Sequence, residues 1–252
     1  MNLTIDIGNS FIMICAFKNE KILKYTKLDV FKFNESKFLE FIENFSKIDP
    51  KLNILISSVV PNITKTLAIL LKSKKLRFFF ARDLIKYSKL KINIKNKKQI
   101  GDDRLINIIF ARYLYEKSVI IIDFGTATTI DILDKKGFYD GGVITPGINL
   151  SLKSLQEGTA KLPLVKFKKI NEVVGRNTSQ AIQSGFYWGY ISMIEGLVKK
   201  IEIVKKTLFK IILTGGNAKY FKQCFSKVIK IDELFNSKGL NYLINSYLKF
   251  KL

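Results

Sequence analysis

The chain has 252 residues, with 43 lysines and arginines, 21 aspartates and glutamates and no histidine, which gives a formal net charge of +22 at pH 7. With 47% hydrophobic and 25% charged residues, global disorder is excluded, and 15 glycines and 4 prolines are too few for a collagen-like or proline-rich architecture. The lack of histidine excludes a Ser-His-Asp triad, a Cys-His dyad and a His-ligated metal. Acid–base chemistry must therefore use carboxylates, and a metal would be a hard cation bound by oxygen.

The first half of the chain predicts a β-meander followed by alternating helices and strands. Alternating or continuous apolar runs predict strands at 3–7, 11–17, about 21–28, 52–60 and 76–80. Helical apolar spacing predicts helices at 34–48, 62–71 and 102–115, with Asn62 as an N-cap. A helix and a strand therefore alternate after the meander.

The second half repeats this order. Strands are predicted at 119–123, 126–133, 210–214 and 228–231, and helices near 149–156, at 178–206, after Gly215-Gly216 and at the end of the chain. No Pro/Ser-rich linker separates the halves. We therefore expect an α/β fold with two packed lobes, residues 1–117 and 118–252.

The positive charge is spread along the chain rather than concentrated in one segment. Lysines alternate with Ile, Asn and Phe throughout, a pattern that a composition bias produces, so we do not predict specific nucleic-acid binding. The longest apolar run, at 11–17, is shorter than the ~18 residues that a membrane span requires, and residues 1–6 do not resemble a signal peptide. Two cysteines suit a reducing compartment, so we expect a cytoplasmic protein without a membrane segment.

Two strand–turn–strand segments share an Asp-x-Gly pattern, at Asp6–Gly8 and Asp123–Gly125. Backbone amides of such turns can bind phosphate oxygens, and nearby hydroxyls add donors. The aspartate would repel phosphate, but it can hold Mg²⁺ or a water that bridges to phosphate. One such turn alone is typical of an ordinary hairpin, whereas two copies opening two similar halves favour a phosphate-binding role.

A third acidic residue, Asp103, lies at the start of a predicted helix within Gly101-Asp102-Asp103-Arg104. A carboxylate in the first turn also complements the helix dipole, so its position alone does not require a function. The adjacent Arg104, however, offers a guanidinium that can bind a small carboxylate bidentately. The pair suits a substrate with a hydroxyl to activate and an anionic group to anchor.

The ordered set of motifs resembles the type III pantothenate kinases. The matching segments are 6–10 (DIGNS), 101–107 (GDDRLIN), 123–129 (DFGTATT), 141–147 (GGVITPG), 160–163 (AKLP), 175–178 (GRNT) and 214–216 (TGG). The resemblance implies an actin/hexokinase-like (ASKHA, ribonuclease H-like) fold with duplicated lobes, and a homodimer. It also implies transfer of the γ-phosphoryl group of ATP to the terminal hydroxyl of pantothenate, the first step of coenzyme A synthesis, with Mg²⁺ and a monovalent cation, K⁺ or NH₄⁺.

The resemblance also assigns roles to individual residues. ATP binding falls to Asp6, Ile7, Gly8, Asn9, Ser10, Phe11, Ile12, Met13 and Thr126. Pantothenate binding falls to Gly101, Asp102, Asp103, Arg104 and Thr178. By the same resemblance Asp103 is the catalytic proton acceptor, Asp123 is the monovalent-cation ligand, and Asp6 serves Mg-ATP directly or through water.

Three positions depart from the family pattern. Asp102 stands where the family has a small residue, and this second carboxylate is expected either to raise the proton affinity of Asp103 or to point to solvent. Ser10 replaces a threonine and keeps the hydroxyl, and Ile94 stands at a position where the family tends to carry tyrosine.

Two other functions remain open at this point. One is another ASKHA kinase, acting on a different small hydroxy acid or a sugar. The other is a non-enzymatic transcriptional accessory factor, which the high pI would suit but which has no need of the aspartate base.

A stripe of small residues marks the predicted helix at 178–206. Gly185, Gly189, Ser192 and Gly196 recur at helical spacing and define one face, called here the glycine stripe. Glycine costs a helix interior about 1 kcal/mol relative to alanine, so a close helix–helix approach is the usual compensation. The stripe could pack within one lobe. With the resemblance, we expect it at a dimer seam, with Asp103 of one chain and Thr178 of its mate in each site. The nearby aromatic residues Phe186, Tyr187, Trp188 and Tyr190 are expected to pack in the core or at an interface.

Overall fold

The computed structural model describes residues 1–251, which form two compact units. One unit comprises residues 1–114 together with the chain from Leu234 onward, and the other comprises residues 115–233. The final helix packs with the first unit, through Leu240, Leu243 and Ile244 against Ile106 and Leu55. The predicted boundary near residue 117 had instead grouped that helix with the second half.

Each unit contains a five-stranded mixed sheet. The strands of the first unit are β1 Asn2–Ile7, β2 Phe11–Lys18, β3 Lys21–Asp29, β4 Asn53–Ser58 and β5 Phe78–Phe80. The strands of the second unit are β6 Val119–Phe124, β7 Ala127–Leu133, β8 Tyr139–Pro146, β9 Lys210–Thr214 and β10 Val228–Ile231.

Seven α-helices accompany the strands in the described residues. They are α1 Glu35–Ser46, α2 Pro61–Ser73, α3 Ala81–Leu84, α4 Asp102–Tyr115, α5 Ile148–Glu157, α6 Thr178–Lys205 and α7 Phe235–Phe250. Short 3₁₀ turns lie at Ile85–Ser88, Lys97–Gln99 and Ala218–Phe221.

The two sheets have the same topology. The first runs β3-β2-β1-β4-β5 and the second β8-β7-β6-β9-β10, read in the matching direction. In each sheet the central strand pairs antiparallel with the strand that follows it and parallel with the strand on its other side. This repeated order is what the predicted duplication of lobes requires.

The alternation of side chains along the central strands places the apolar core residues and the two aspartates on opposite faces of each sheet. Leu3, Ile5 and Ile7 of β1 are buried in the core that α1 and α2 cover. Because successive side chains of a strand point to opposite faces, Asp6 lies on the other face. The same holds in β6, where Ile122 and Phe124 enter a core shared with α6 and Asp123 lies on the opposite face.

The structure differs from the sequence-based elements in several places, which include the unpredicted short helix α3. Strand β8 was not predicted, because Asp140-Gly141-Gly142 dilutes its alternation and it lies at a sheet edge, where a terminal proline is tolerated. The prediction of Asn62 as an N-cap was wrong: α2 begins at Pro61, whose fixed φ suits the first helical position. The helix expected after Gly215-Gly216 is a single 3₁₀ turn.

Two further expectations concern membranes and thiols. In the described part of the chain, no helix combines the length and apolarity that crossing a bilayer demands.

Cys15 and Cys224 are both free, and burial raises the pKa of the Cys15 thiol to about 11. A thiol with so high a pKa stays protonated at neutral pH and is therefore a poor nucleophile.

Candidate active site

Asp6 occupies a position in the first sheet where ligands commonly bind. It lies near the carboxyl end of β1, opposite Met13 of antiparallel β2 and Ser57 of parallel β4. In open α/β sheets, ligands bind beyond the carboxyl ends of the strands, where the direction of connection changes. Ser57 is 1% exposed, and its hydroxyl, beside Asp6, has no hydrogen-bond partner among the described residues.

The turn that follows Asp6 is a tight hairpin. The amide of Gly8 donates to the carbonyl of Phe11 at 3.0 Å, which leaves Asn9 and Ser10 at the tip. Ile7 and Ile12 are fully buried, so of the predicted ATP-binding residues these two can contribute only backbone groups. Asn9 is exposed and Ser10 half-buried, as a turn that presents amides and a hydroxyl to a phosphate requires.

Asp123 occupies the equivalent position in the second sheet. It pairs with Thr129 of antiparallel β7 and with Thr214 of parallel β9. Each aspartate therefore has a hydroxyl residue, Ser57 or Thr214, beside it on the neighbouring parallel strand. The repeated arrangement supports the interpretation of both Asp-x-Gly turns as one type of site.

Glycine backbones hold the second turn closely. Gly215 has a φ of +85°, and a Cβ there would clash with Asp123 Oδ1 and lie 2.7 Å from the backbone of Phe124. The amide of Gly147 donates to the carbonyl of Thr126 at 3.0 Å, and a Cβ at Gly147 would clash with that carbonyl oxygen. Gly125 and Thr126 themselves are exposed. The turn is thus fixed by close backbone packing while its tip stays accessible.

Asp103 lies in the first turn of α4. Its Oδ1 accepts from the amide of Arg104 at 2.8 Å, and it lies so close to Gly101 that a Cβ there would clash with it. The backbone carbonyl of Asp103 accepts from Asn236 Nδ2 at 2.9 Å. Asp103 and Arg104 are both half-buried, so the two predicted substrate groups lie next to each other and are reachable from solvent.

Asp102 is buried, and the expectation that it might point to solvent was wrong. Its Oδ1 lies 2.5 Å from Arg82 Nη2, and the same Arg82 nitrogen donates to the carbonyl of Ile100 at 2.6 Å. Burial raises the pKa of the Asp102 carboxyl, the Arg82 guanidinium opposes this rise, and the negative charge of Asp103 adds to it. The two adjacent carboxylates therefore interact, and Arg82 offsets part of their repulsion.

Thr178 is the first residue of α6 and is exposed. Asn177 caps this helix by accepting from the amide of Gln180 at 2.9 Å. A Cβ at Gly175 would clash with the backbone of Ala181, so the Gly175-Arg176-Asn177-Thr178 segment is folded tightly against the helix start. The segment presents Thr178 at the surface of the second unit.

The sequence analysis missed two neighbours of the candidate site. In the strand register, Lys27 of β3 lies opposite Met13 of β2, and Met13 lies opposite Asp6 of β1. The ammonium of Lys27 lies 4.0 Å from the centre of the Phe11 ring. This places a positive charge beside the first hairpin. Asn236 of α7 is the second, since it bonds to the backbone of Asp103. The β2–β3 register could have identified Lys27, but no local pattern links residues 103 and 236.

The other features that the sequence analysis singled out lie outside this arrangement. Tyr187 is 2% exposed, and Phe186, Trp188 and Tyr190 pack around the same core, as expected for packing residues. Ile94 is half-buried. Within residues 1–251, no three or more cysteine, aspartate or glutamate side chains come together as a metal-binding cluster. Single carboxylates, Asp6 and Asp123, remain as the candidate cation ligands.

A cavity of about 480 Å³ lies in the first unit, between α4, α7 and the β2–β3 turn. Tyr113 and Tyr242, whose rings stack at 4.1 Å, form part of its wall, together with Lys238. None of the candidate site residues lines it. The cavity is therefore separate from the residues discussed above.

The chain matches known proteins over most of its length. The sequence profile of the type III pantothenate kinases matches residues 2–200. A type III pantothenate kinase of Sulfurihydrogenibium sp. (strain YO3AOP1) is 38% identical over 256 aligned positions, which cover 96% of this chain and 99% of that protein. The chain belongs to the type III pantothenate kinase family. A second member, from Cereibacter sphaeroides (strain ATCC 17029), is 34% identical and covers 99% of both chains.

The predicted fold class is confirmed. A crystal structure from Campylobacter jejuni, described as a Baf family transcriptional activator, matches 98% of this chain and 99% of its own with a TM-score of 0.62. At 23% identity this likeness concerns the fold alone. Together with the family and the two matching sheets, it supports duplicated actin-like lobes of a kinase. The profile match includes Asp6, Asp103, Asp123 and Thr178, whereas α7 lies beyond its end at residue 200.

The burial of Asp102 predicts a pH dependence of stability. Its carboxyl pKa is raised in the folded state above the usual ~3.9, so the folded protein holds this proton more tightly than the unfolded chain. The stabilisation is therefore complete below pH ~4 and is lost as pH rises through the folded pKa. The unfolding free energy of wild type minus that of Asp102→Asn should fall from about pH 4 to pH 7, measured by urea unfolding.

Glu157→Gln, which removes an exposed carboxylate of α5, serves as the control and should show no such trend. A difference between wild type and Asp102→Asn that stays constant or grows with pH would contradict the interpretation.

Proposed function

We propose that this protein phosphorylates pantothenate with ATP, which is the first step of coenzyme A biosynthesis. The observation that carries the proposal is the Asp103–Arg104 pair in the first turn of α4. The chain belongs to this kinase family, and both of its Asp-x-Gly turns lie at the carboxyl ends of strands that have a parallel neighbour. The two free cysteines fit a cytoplasmic location.

The first hairpin supplies the main contacts to ATP in this proposal. The segment Asp6–Met13 offers backbone amides and the Ser10 hydroxyl to phosphate oxygens, with the Lys27 ammonium nearby. The exposed Thr126 adds a hydroxyl in the second turn. Such a set binds phosphate by position and charge rather than by covalent chemistry, which is what phosphoryl transfer requires.

Asp103 acts as the proton acceptor. As the terminal hydroxyl of pantothenate attacks the γ-phosphorus, a new P–O bond forms, the bond to the β–γ bridging oxygen breaks, and ADP leaves with that oxygen. The hydroxyl proton passes to the Asp103 carboxylate. Arg104 anchors the pantothenate carboxylate, and Gly101, Asp102 and Thr178 complete the substrate contacts. Since Asp102 is already paired with Arg82, its contribution is to hold this turn in place.

The ions of the proposal are assigned to the two strand-end aspartates. Mg²⁺ belongs with Asp6, directly or through water, and K⁺ or NH₄⁺ belongs with Asp123. The donors fit hard cations, because the side-chain ligands offered are carboxylate and hydroxyl oxygens, including the unpartnered hydroxyl of Ser57 beside Asp6. When bound, such cations neutralise phosphate charge.

The glycine stripe supports a homodimer. A Cβ at Gly185, Gly189 or Gly196 would meet nothing within 4 Å in this chain, and Gly185, Gly189 and Ser192 are exposed. Packing within the lobe therefore does not account for three helix-interior glycines, which cost about 1 kcal/mol each. In the proposed two-fold dimer, this stripe lies at the seam, and Thr178 completes the pantothenate site that contains Asp103 of the other chain.

The chemical role of Asp103 predicts the effect of removing it. Asp103→Asn should fold and bind ATP but lose roughly 10²–10⁴-fold in the rate of pantothenate-dependent ADP formation, because the proton acceptor is gone. Glu40→Gln, which changes an exposed carboxylate of α1, is the control and should keep the wild-type rate. A near-wild-type rate for Asp103→Asn would refute the assignment of the base, and a sugar or another hydroxy acid replacing pantothenate equally well would refute the substrate.

The assignment of Asp123 predicts a specific salt effect. At matched ionic strength, the wild-type rate should rise with K⁺ or NH₄⁺ and fall towards background with Na⁺ or a bulky organic cation alone. Asp123→Ala should lose this dependence, whereas Asp134→Ala, on the β7–β8 turn of the same unit, should retain it. Equal wild-type rates in all of these salts would remove the monovalent-cation site.

The shared-site dimer predicts complementation. Gly189→Leu should give monomers by sedimentation and an inactive enzyme, because its side chain would occupy the seam. Glu195→Leu is the control, since position 195 lies about 100° around the helix axis from Gly196 and off the stripe. Asp103→Asn mixed with Thr178→Ala should regain partial activity, because one of the mixed sites has both residues intact. A fully active monomer would contradict the model.

A further inference from the structure

The first turn of α7 is bonded to the first turn of α4. Asn236 Nδ2 donates to the backbone carbonyl of Asp103 at 2.9 Å and to Asn107 Oδ1 at 3.2 Å. Asn107 is 1% exposed and lies one helical turn after Asp103, so both acceptors belong to the same end of α4. One amide group thus spans the turn that carries the proposed base.

A close approach of the two helices makes this contact possible. A Cβ at Gly239 would lie 2.7 Å from Ile106 Cγ2 and 3.1 Å from the carbonyl oxygen of Ile106, so only glycine allows this spacing. Gly239 follows Asn236 by three residues, and Ile106 follows Asp103 by three. The rings of Phe235 and Phe110, with centres 4.9 Å apart, pack at the same interface. The approach is therefore built into both helices next to Asp103.

Asn236 itself is in an unusual environment. It is 9% exposed, and its Oδ1 is buried without a hydrogen-bond partner. A buried amide oxygen without a partner disfavours folding, so packing alone would be better served by an apolar residue. The NH₂ group of the amide, by contrast, donates both of its hydrogen bonds to acceptors on α4. These two bonds are therefore the reason for an asparagine at this position.

The start of α4 needs such support. Helix ends fray unless contacts from outside the helix hold them, and Asn236 provides such a contact to the carbonyl of Asp103. Gly101 precedes Asp103 and adds flexibility, since it lacks a side chain that could pack. A catalytic group displaced by about 1 Å can lose on the order of 10² in rate. A bond to the carbonyl of Asp103 fixes the backbone from which its carboxylate projects.

We infer that Asn236 is a positioning residue for phosphoryl transfer, holding Asp103 through its backbone carbonyl and through Asn107. The inference rests on the proposed function, in which Asp103 is the proton acceptor. In this inference, α7 helps to position the base Asp103, although α7 lies beyond the family match at residues 2–200.

The test compares two buried asparagines of α7. Asn241 is 3% exposed, its Nδ2 donates to the carbonyl of Asn19 at 2.7 Å, and its Oδ1 accepts from Asn2 at 2.8 Å, so its side chain bonds to the β2–β3 turn and to β1 rather than to α4. Asn236→Ala should lower kcat about 10-fold or more while both KM values stay within about 2-fold. Asn241→Ala should lower thermal stability but leave kcat unchanged. Asn236→Leu keeps the branching at Cγ and the number of side-chain heavy atoms without the donor, and its kcat should fall as far as that of Asn236→Ala.

A double variant separates this inference from the proposed function. If Asn236 acts through Asp103, adding Asn236→Ala to Asp103→Asn should not lower the residual rate further, because the group that it positions is already gone. A wild-type kcat for folded Asn236→Ala and Asn236→Leu, with Asp103→Asn inactive, would overturn the positioning role and leave the proposed function intact. Equal kcat losses for Asn236→Ala and Asn241→Ala would also overturn it. An active Asp103→Asn would instead overturn the base itself.

Discussion

The position of every candidate carboxylate on a strand depends on the burial of its neighbours. Leu3, Ile5 and Ile7 are fully buried, and burying each such side chain contributes about 1.5–3 kcal/mol. A slip of β1 by one residue would move all three to the face that α7 covers and would place Asp6 in the apolar core beneath α1 and α2. The apolar side chains therefore fix Asp6 near the carboxyl end of β1, and the same alternation in β6 fixes Asp123.

The adjacent carboxylates of α4 show how one helix end can hold two like charges. The N-terminal end of a helix favours anions, and Arg82 pairs with Asp102. Burial opposes the charged form of Asp102, and the pKa of this carboxyl is raised in spite of Arg82, so desolvation is the larger effect. Asp103, which is half-buried, is left with Arg104 as its neighbour towards solvent. The pairing thus gives the two aspartates different environments.

Local patterns were enough to predict the elements that carry the candidate site residues, whereas the contacts between those elements could not be predicted from them. Helix α4 begins and ends at the residues predicted, because its apolar spacing and acidic first turn are local signals. Ser57 is placed beside Asp6 by the register of β1 with β4, which no local pattern predicts. Asn236 is placed beside Asp103 by a hydrogen bond between residues 133 positions apart in the sequence. The packing of α7 with the first unit likewise depends on Gly239 and Ile106, which carry no signal of their contact in the sequence.

In helix α7, the residues that stabilise its packing differ from those that fix its position along the first unit. Its apolar residues Leu240, Leu243 and Ile244 are buried and supply most of the attraction to the first unit, but such contacts tolerate small shifts. The hydrogen bonds of its buried side-chain amides do not tolerate such shifts. A slip of the helix by one turn of 5.4 Å would break both the bond from Asn236 to α4 and the bond from Asn2 to Asn241. The hydrogen bonds to fixed acceptors and the close approach at Gly239 therefore select this register together. In this register the helix reaches the backbone of Asp103, so the same contacts that fix the fold also fix the proposed base.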